Sequence, residues 1–418
     1  MAAAGLDFGT SNTTLGVSGP GGAALLPLED GRTTIPSAIF YPQAMGEEPS
    51  IGRAAVAAYV EGRHGRLMRA LKSVLGSPLI EEATLVGRQR VRFRAVIAAY
   101  VGRIKRRGEA AAGRELTHLV HGRPVHFVDG DAEGDARAEE TLRQIAAEVG
   151  FREVSFQFEP IAAGLDYETQ VNDEQIALIA DIGGGTSDFS IVRLGPDRRG
   201  RPDRADDILA NDGVRIGGID FDRQLSLGVV MPLLGLGSPL KRAGLSMPAA
   251  PYHDLATWSA INRLYEPKVM RDLRELERDS ARPDLVGRLV HVVEDERGHG
   301  LAIAVEGAKI AVADHGAATL DLGFVEKGLE VVADHADLVA SSATLAQRIG
   351  ARVDECLRQA GLGRADVDAL FLTGGSTRLT HVRDAIVAAV PEARVVEGDT
   401  FGSVGTGLTL EAVRRYGG

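Results

Sequence analysis

The sequence has little cysteine, no long apolar run and a deficit of positive charge. Its one cysteine, Cys356, excludes a disulfide framework or a cysteine-rich metal site within one chain. Cys356 sits in a helix-like segment and is expected to be buried or inert. No stretch of about 18 or more uncharged apolar residues occurs, so no membrane-spanning helix is expected. The nearest approach, residues 225–240, is interrupted by Pro232 and several glycines. The opening MAAAGLDFGT passes straight into a strand pattern without a basic-then-apolar leader, which points to the cytoplasm. Lys and Arg number 47 against 58 Asp and Glu, a net charge of -11 that argues against nucleic acid or an acidic membrane as a partner. The local basic stretches 103–107 and 198–204 are expected to be solvated surface.

Glycine, by contrast, is abundant at 51, and its placement carries the reading. Three segments share an apolar strand followed by a Gly-rich turn: AGLDFGTSNTTLGV (4–17), IALIADIGGGTSDFSIVRL (176–194) and ALFLTGGSTRLTHVRDAI (369–386). The first two each contain Asp, a spacer, Gly and then Thr, and each returns into a second apolar strand. By its glycine count the second reads as having two extra turn residues. A hairpin used twice, 174 positions apart from Asp7 to Asp181, argues for two lobes of similar topology. The 418 residues suffice for two substantial domains. The third segment reads as a strand-to-helix turn, whose backbone N–H groups suit an anion. Elsewhere, residues 138–149 read as a helix with Leu142, Ile145 and Ala146 on one side. Residues 255–276 look amphipathic, with Pro267 kinking or splitting them.

Phosphates need backbone donors, countercharge and a metal. Asp7 and Asp181 fall at strand ends, immediately before the turns. Two carboxylates beside phosphate repel it unless a cation such as hydrated Mg²⁺ bridges them. Asp188 opens the return strand of the second hairpin and can orient that shell. Thr10 and Thr186 can donate hydroxyls to phosphate or water.

These residues carry a family resemblance. The motifs LDFGTSNT, DIGGGTSDFSI and LTGGSTRL resemble the ATPase part of the Hsp70 chaperones, within the actin and sugar-kinase superfamily. FEPIAAGLDY (158–167) is similar to the inter-lobe connector and GVRIGGIDFD (213–222) to the loop after the second hairpin. The ending DTFGSVGTGLTLEA and the long middle insertion resemble the short YegD-type chaperone-like subgroup, which lacks a peptide-binding domain. The resemblance implies an α/β, duplicated actin/Hsp70-type ATPase fold with the ribonuclease H-like motif, two lobes and a central nucleotide cleft. Lobe I would span 1–165, with a subdomain around 28–115. Lobe II would span 166–412, with an inserted helical subdomain at about 226–315, then a tail at 413–418 and no C-terminal substrate-binding domain.

The resemblance also implies roles. Asp7, Asp181 and Asp188 would hold Mg²⁺ largely through water. Gly9, Thr10, Ser11, Asn12 and Gly183, Gly184, Gly185 would cradle the phosphates of ATP or ADP. Thr186 would assist the hydrolytic geometry, with Asp181 beside it. Glu159 would sit at the hinge, and Lys72, in RALKSVLG, would neutralise the γ-phosphate and orient water. Gly217, Gly218 and Asp220 would line the phosphate side of the second lobe. Glu306 and Lys309 would grip ribose and adenine. Gly374, Gly375, Ser376 and Arg378 would pack around the adenosine, with Arg378 over the base.

One region departs from the family pattern. A second basic residue and a serine are replaced here by Ile310 and Ala313. The loss of a stacking cation and a hydrogen bond, each worth about 1 kcal/mol, weakens the expected nucleotide affinity. The implied function is slow, Mg²⁺-dependent ATP hydrolysis by a chaperone-related switch, with a client or regulatory protein as partner and the monomer as default. A non-catalytic nucleotide-sensing scaffold, a small-molecule kinase and an actin-like filament protein stay open as alternatives. The apolar residues of the insertion (231–236, Trp258, Ile261, Leu264, Tyr265) are expected to pack on their own lobe, with an interaction surface as the other reading.

Overall fold

A computed structural model describes residues 2–19, 22–44, 46–86, 89–128, 130–199, 201, 203–396 and 402–417. Residues 399–401 of the tail motif, and 200 and 202 of the second basic stretch, lie outside the described residues. The chain divides into two compact units. The first comprises Met1–Val214, Ala351–Thr377 and Ile386–Gly418, and the second Arg215–Gly350 and Arg378–Ala385.

The first unit is built on two sheets of the same plan. Sheet one contains β1 (Ala3–Phe8), β2 (Asn12–Gly19), β3 (Gly22–Leu25), β4 (Thr34–Pro36), β5 (His118–Arg123) and β6 (Glu153–Phe158). Its order is β6-β5-β1-β2-β3, with β4 also on β2. Sheet two contains β7 (Gln175–Ile182), β8 (Ser187–Leu194), β9 (Ile208–Val214), β10 (Ala369–Thr373) and β11 (Arg394–Val396), in the order β11-β10-β7-β8-β9. In each, a central strand pairs antiparallel with its hairpin partner and parallel with a strand from far along the chain. A third antiparallel strand flanks the hairpin and a second parallel strand closes the other side. The duplication expected from the repeated hairpin is therefore present at the level of whole sheets.

Register corrects one detail of that expectation. Phe8 pairs with Thr13 and Ile182 with Ser187, so both turns contain four residues, 9–12 and 183–186. The extra glycines do not lengthen the second turn. They replace Thr10 and Ser11, so Thr186 corresponds to Asn12, not to Thr10.

Central strands covered on both faces read as continuous apolar runs. Ala177, Leu178, Ile179 and Ala180 of β7 are all buried accordingly. Helices α1 (Phe93–Ala112) and α2 (Ala132–Glu148) close one core over sheet one. The predicted start of α2 at 138 is too late, because Asp131 caps the helix by accepting from the Gly134 N–H at 2.8 Å. A second core joins α3 (Glu159–Glu168) to residues of both sheets and to the C-terminal helix, Ser403–Tyr416. That helix approaches its neighbours closely because its contacts are glycines. A Cβ at Gly407 would lie 1.8 Å from the Ala162 carbonyl oxygen, and one at Gly5 2.3 Å from the Thr409 nitrogen. Cys356 is buried, and burial followed by the nearby Asp212 charge pushes its thiol up to about 12.

The 198–204 stretch is solvated surface only in part: Arg199, Arg201 and Asp203 are exposed, but Arg198 is half-buried and Arg204 is buried. Arg204 is fully buried between Glu168 (2.9 Å) and Asp207, and Arg198 pairs with Asp207 at 2.6 Å and Glu174 at 2.9 Å. In the other stretch Lys105 is buried against Glu109 at 2.5 Å. Acidic partners, some local such as Glu109 and Asp207 and some distant such as Glu168 and Glu174, convert apparent surface charge into ion pairs, and the distant ones are invisible to sequence windows.

The second unit is largely helical. It contains α4 (Gly218–Leu225) and α5 (Gly298–His315), with further helices between. The 255–276 segment is split as expected. A 3-10 turn over Ile261–Tyr265 ends before a helix, Pro267–Asp279, with Pro267 at its first position. Met231, Leu234, Ile261 and Leu264 are buried. Trp258 packs edge-on against His299, with ring centroids 4.7 Å apart, and the Tyr265 hydroxyl accepts from the Gly298 N–H at 3.1 Å. These apolar residues therefore serve their own unit. No helix among the described residues is long and apolar enough to cross a membrane.

Candidate functional site

The three glycine turns meet within the first unit. After β1, the Gly9 N–H donates to the Asn12 carbonyl at 3.0 Å, and after β7 Gly183 does the same to Thr186 at 2.9 Å. The turns face each other at close range, since a Cβ at Gly184 would lie 1.9 Å from the Ser11 hydroxyl. The turn after β10 comes as close to the second hairpin. A Cβ at Gly374 would lie 2.6 Å from the Asp181 carboxylate, and the Gly374 backbone has the left-handed φ of 81° that glycine tolerates. The Ser376 hydroxyl donates to the Gly183 carbonyl at 3.3 Å.

Asp7 and Asp181 occupy the penultimate positions of their strands. Across the hairpins, Asp7 faces Thr14 and Asp181 faces Asp188. Lys72 lies on a short 3-10 turn, Leu71–Val74, entered through Ala70 in the left-handed region (φ 54°), rather than on an α-helix. That turn aims its ammonium at Glu159, the first residue of α3, with Nζ 2.5 Å from Oε1.

The electrostatics tie these side chains together. Burial, then repulsion by Glu159, pushes the Asp7 carboxyl up to about 8 against the pull of Lys72. The same two causes raise Asp181 to about 6, opposed by the neighbouring Thr373 hydroxyl and by Lys72. Asp188 is pushed up to about 7, chiefly by burial, while Thr186 donates to it at 2.8 Å. Its side chain reaches solvent, and water relieves part of that rise. Burial alone would lower Lys72, but Glu159, Asp7 and Asp181 together hold it above its ordinary value.

Asp7, Glu159, Asp181 and Asp188 thus share one ammonium, and the site is short of positive charge. That donor set suits a divalent cation. Among the described residues no three His, Cys, Asp or Glu side chains converge as a direct ligand cage. A small hard cation that keeps most of its waters is the kind that such spaced carboxylates hold.

Other residues support the site without a motif to announce them. Ser37 donates its hydroxyl to the Gly9 carbonyl at 2.6 Å and its N–H to Ser11 at 2.8 Å, pinning the first turn. Thr373 faces Asp181 across the parallel pair β7–β10. His121, buried beside this group, is pushed down to about 4 by burial and Lys72 and stays neutral. A lone Ser after Pro or a lone His in a strand is too common a pattern to have marked either.

The remaining residues expected at the site lie in the second unit. Asp220 accepts from the Gly217 N–H at 3.0 Å and so caps α4. Lys309 is buried, donating to the Gly218 carbonyl at 3.0 Å and pairing with Asp222 at 2.8 Å. Its ammonium therefore joins α5 to α4. Glu306 lies one turn earlier on α5, half-buried. Arg378 pairs with Asp314 of α5 at 2.5 Å.

Comparison with known proteins agrees with this arrangement. The chain is 26% identical to the "Chaperone protein HscA homolog" of Chromobacterium violaceum over 98% of its own length and 58% of that protein. The homologs of the same name from Aromatoleum aromaticum and Laribacter hongkongensis are 25% and 27% identical, over 98% and 92% of this chain and 57% and 54% of theirs. The chain therefore spans little more than half the length of these relatives. The Hsp70 protein family profile matches residues 3–230, which take in the first two glycine turns, Lys72 and Glu159. With more than half its length matched and the duplicated sheets behind it, the chain belongs to the Hsp70 protein family and has its α/β ATPase-type fold.

Proposed function

We propose that the chain is a slow, Mg²⁺-dependent ATPase that acts as a chaperone-related switch. The observation that carries this reading is the gathering of Lys72, Glu159, Asp7, Asp181 and Asp188 beside two facing glycine turns. Bound Mg²⁺ would supply countercharge to the phosphates and to Asp7, Asp181 and Asp188, mostly through its waters. The N–H groups of residues 9–12 and 183–186 would cradle the phosphate oxygens, helped by the Thr10 and Ser11 hydroxyls. Glu159 holds one donor of the Lys72 ammonium, leaving two for the γ-phosphate and the attacking water. Thr186 commits its proton to Asp188, so its oxygen is left to accept from that water. Gly217, Gly218, Glu306, Gly374, Gly375 and Arg378 belong to this reading as nucleotide-binding residues.

Catalysis by positioning and charge neutralisation, without a strong base, gives slow turnover suited to a switch. The lobe boundary at 165/166 separates the chain segments that form the two matching sheets, which supports it as the functional division. The reading of the chain as a relative of the short YegD-type proteins rests on the resemblance of the tail motif and middle insertion alone. The partner would be a client or regulatory protein, and the setting a cytoplasmic monomer. Isothermal titration with ATP, with and without Mg²⁺, tests the reading. Binding that strengthens on adding Mg²⁺ supports it, and no binding in either case contradicts it.

A further inference from the structure

We propose that a groove beside helix α1, within the first unit, is a docking site for an acidic peptide segment of a partner protein, whose carboxylates pair with Arg103 and Arg106. None of the groove's residues belongs to the nucleotide site, so peptide binding is separable from the ATPase reading.

The chain is acidic as a whole, but residues 28–115 carry fifteen Lys and Arg against nine Asp and Glu. The basic stretch 103–107 falls in the second half of α1. The groove beside it has a volume of about 410 Å³, and its apolar lining is small: Ala98, Ala99, Gly102 and Val149, the last just past the end of α2. A Cβ at Gly102 would lie 3.3 Å from Val149 Cγ1 and 3.8 Å from Arg106 Nη1. The missing side chain therefore keeps the groove open and leaves the Arg106 guanidinium beside bare backbone.

The cations of this region are not equally free. Lys105 pairs with Glu109 at 2.5 Å and lies over the Phe151 ring, 5.2 Å from its centroid. Arg94 holds the Glu148 carboxylate with two hydrogen bonds, at 2.7 and 3.0 Å. Arg103 pairs at 2.7 Å with Glu48, whose side chain is 84% exposed. Arg106 is exposed and makes no ion pair among the described residues. A pair as exposed as Arg103–Glu48 is worth less than about 1 kcal/mol, so an incoming carboxylate can replace Glu48 at little cost. Glu48 also shows the kind of ligand that fits: it is a carboxylate on a loop whose next residue, Pro49, lines the groove.

Arginine forks match carboxylates, and the small apolar lining suits short side chains between them. Nucleic acid fits less well. The lining holds no aromatic ring for a base to stack on, and Glu109 and Glu148 interrupt its positive charge.

Fluorescence anisotropy of a labelled peptide of alternating Glu and Ala, titrated with the full chain at low salt without nucleotide, tests the site. A Lys-Ala peptide and an oligothymidine serve as comparisons. The parent should bind the Glu-Ala peptide, release it as salt rises, and leave the Lys-Ala peptide free. Arg106→Glu should weaken binding about tenfold, with thermal unfolding unchanged, and Glu48→Ala should strengthen it about two- to threefold. No binding by the parent, or equal binding in Arg106→Glu, would overturn the docking site. Tighter binding of oligothymidine than of the acidic peptide would overturn it in favour of a nucleic-acid surface.

Discussion

The two hairpins of the duplicated sheets share strand order, turn length and the first hydrogen bond of the turn, yet they differ in the side chains at matched positions of the site. Opposite Asp7 stands Thr14, while opposite Asp181 stands a second carboxylate, Asp188. In the first turn the middle positions are Thr10 and Ser11, in the second Gly184 and Gly185. The first hairpin thus presents hydroxyls and one carboxylate, the second bare backbone and two carboxylates. The frame is duplicated but its side chains are not, and under the proposed function phosphate contact would be weighted to one hairpin and cation holding to the other. Only because Gly184 lacks a side chain can Ser11 occupy the space between them.

The contrast should show most strongly in the first residues of the turns. A Cβ at Gly9 would lie 2.4 Å from the Asn12 carbonyl oxygen, whereas one at Gly183 has its nearest neighbour at 3.5 Å. Gly9→Ala should therefore lower stability by about 2 kcal/mol, and Gly183→Ala by less than about 0.5 kcal/mol, in urea unfolding. Equal losses would mean that the turns are not the differently packed structures described.

The next effect concerns pH. Asp7 and Asp181 have raised values in the folded protein, about 8 and about 6. Their contribution to stability without a cation is therefore full below the ordinary carboxylate range near 4 and is lost as pH rises through those values. A divalent cation favours the ionised form and must displace protons at lower pH. Mg²⁺ affinity should fall about tenfold per pH unit for each proton displaced, beginning just below pH 8, and Asp7→Asn should flatten that first segment. The unfolding temperature should gain more from Mg²⁺ at pH 8.5 than at pH 6. A gain independent of pH would remove Asp7 from the cation site.

The smallest expected effect comes from making the second hairpin resemble the first. Asp188→Thr should weaken Mg²⁺-dependent ATP binding by about three- to tenfold and leave unfolding in the absence of nucleotide nearly unchanged. Unaltered binding would mean that Asp188 does not share the cation with Asp181.

Much of this frame was legible in the sequence, because a glycine-rich turn between apolar strands has few other uses. Asp7, Asp181 and the three turns were placed by that pattern alone. Lys72 was not, since a lysine among apolar residues has no local mark, and only the family resemblance singled it out. The matching of Thr10 with Thr186 failed because glycine count is a poor guide to turn length, which register sets. The glycines of the tail motif carried no structural expectation beyond the resemblance, and Gly405 and Gly407 lie inside a helix. Their use is to admit a neighbouring backbone, a property of two distant segments at once. Arg204 shows the same limit, since its burial depends on Glu168, 36 positions away.

Single-turnover phosphate release from ATP, compared between the parent and Lys72→Ala with and without Mg²⁺, tests the central claim most directly. The account predicts slow, Mg²⁺-dependent release in the parent that falls by about a hundredfold or more in the variant, with ATP still bound. Release at the same rate in both proteins, or tight binding of Mg²⁺ and ATP with no release in the parent, would contradict it.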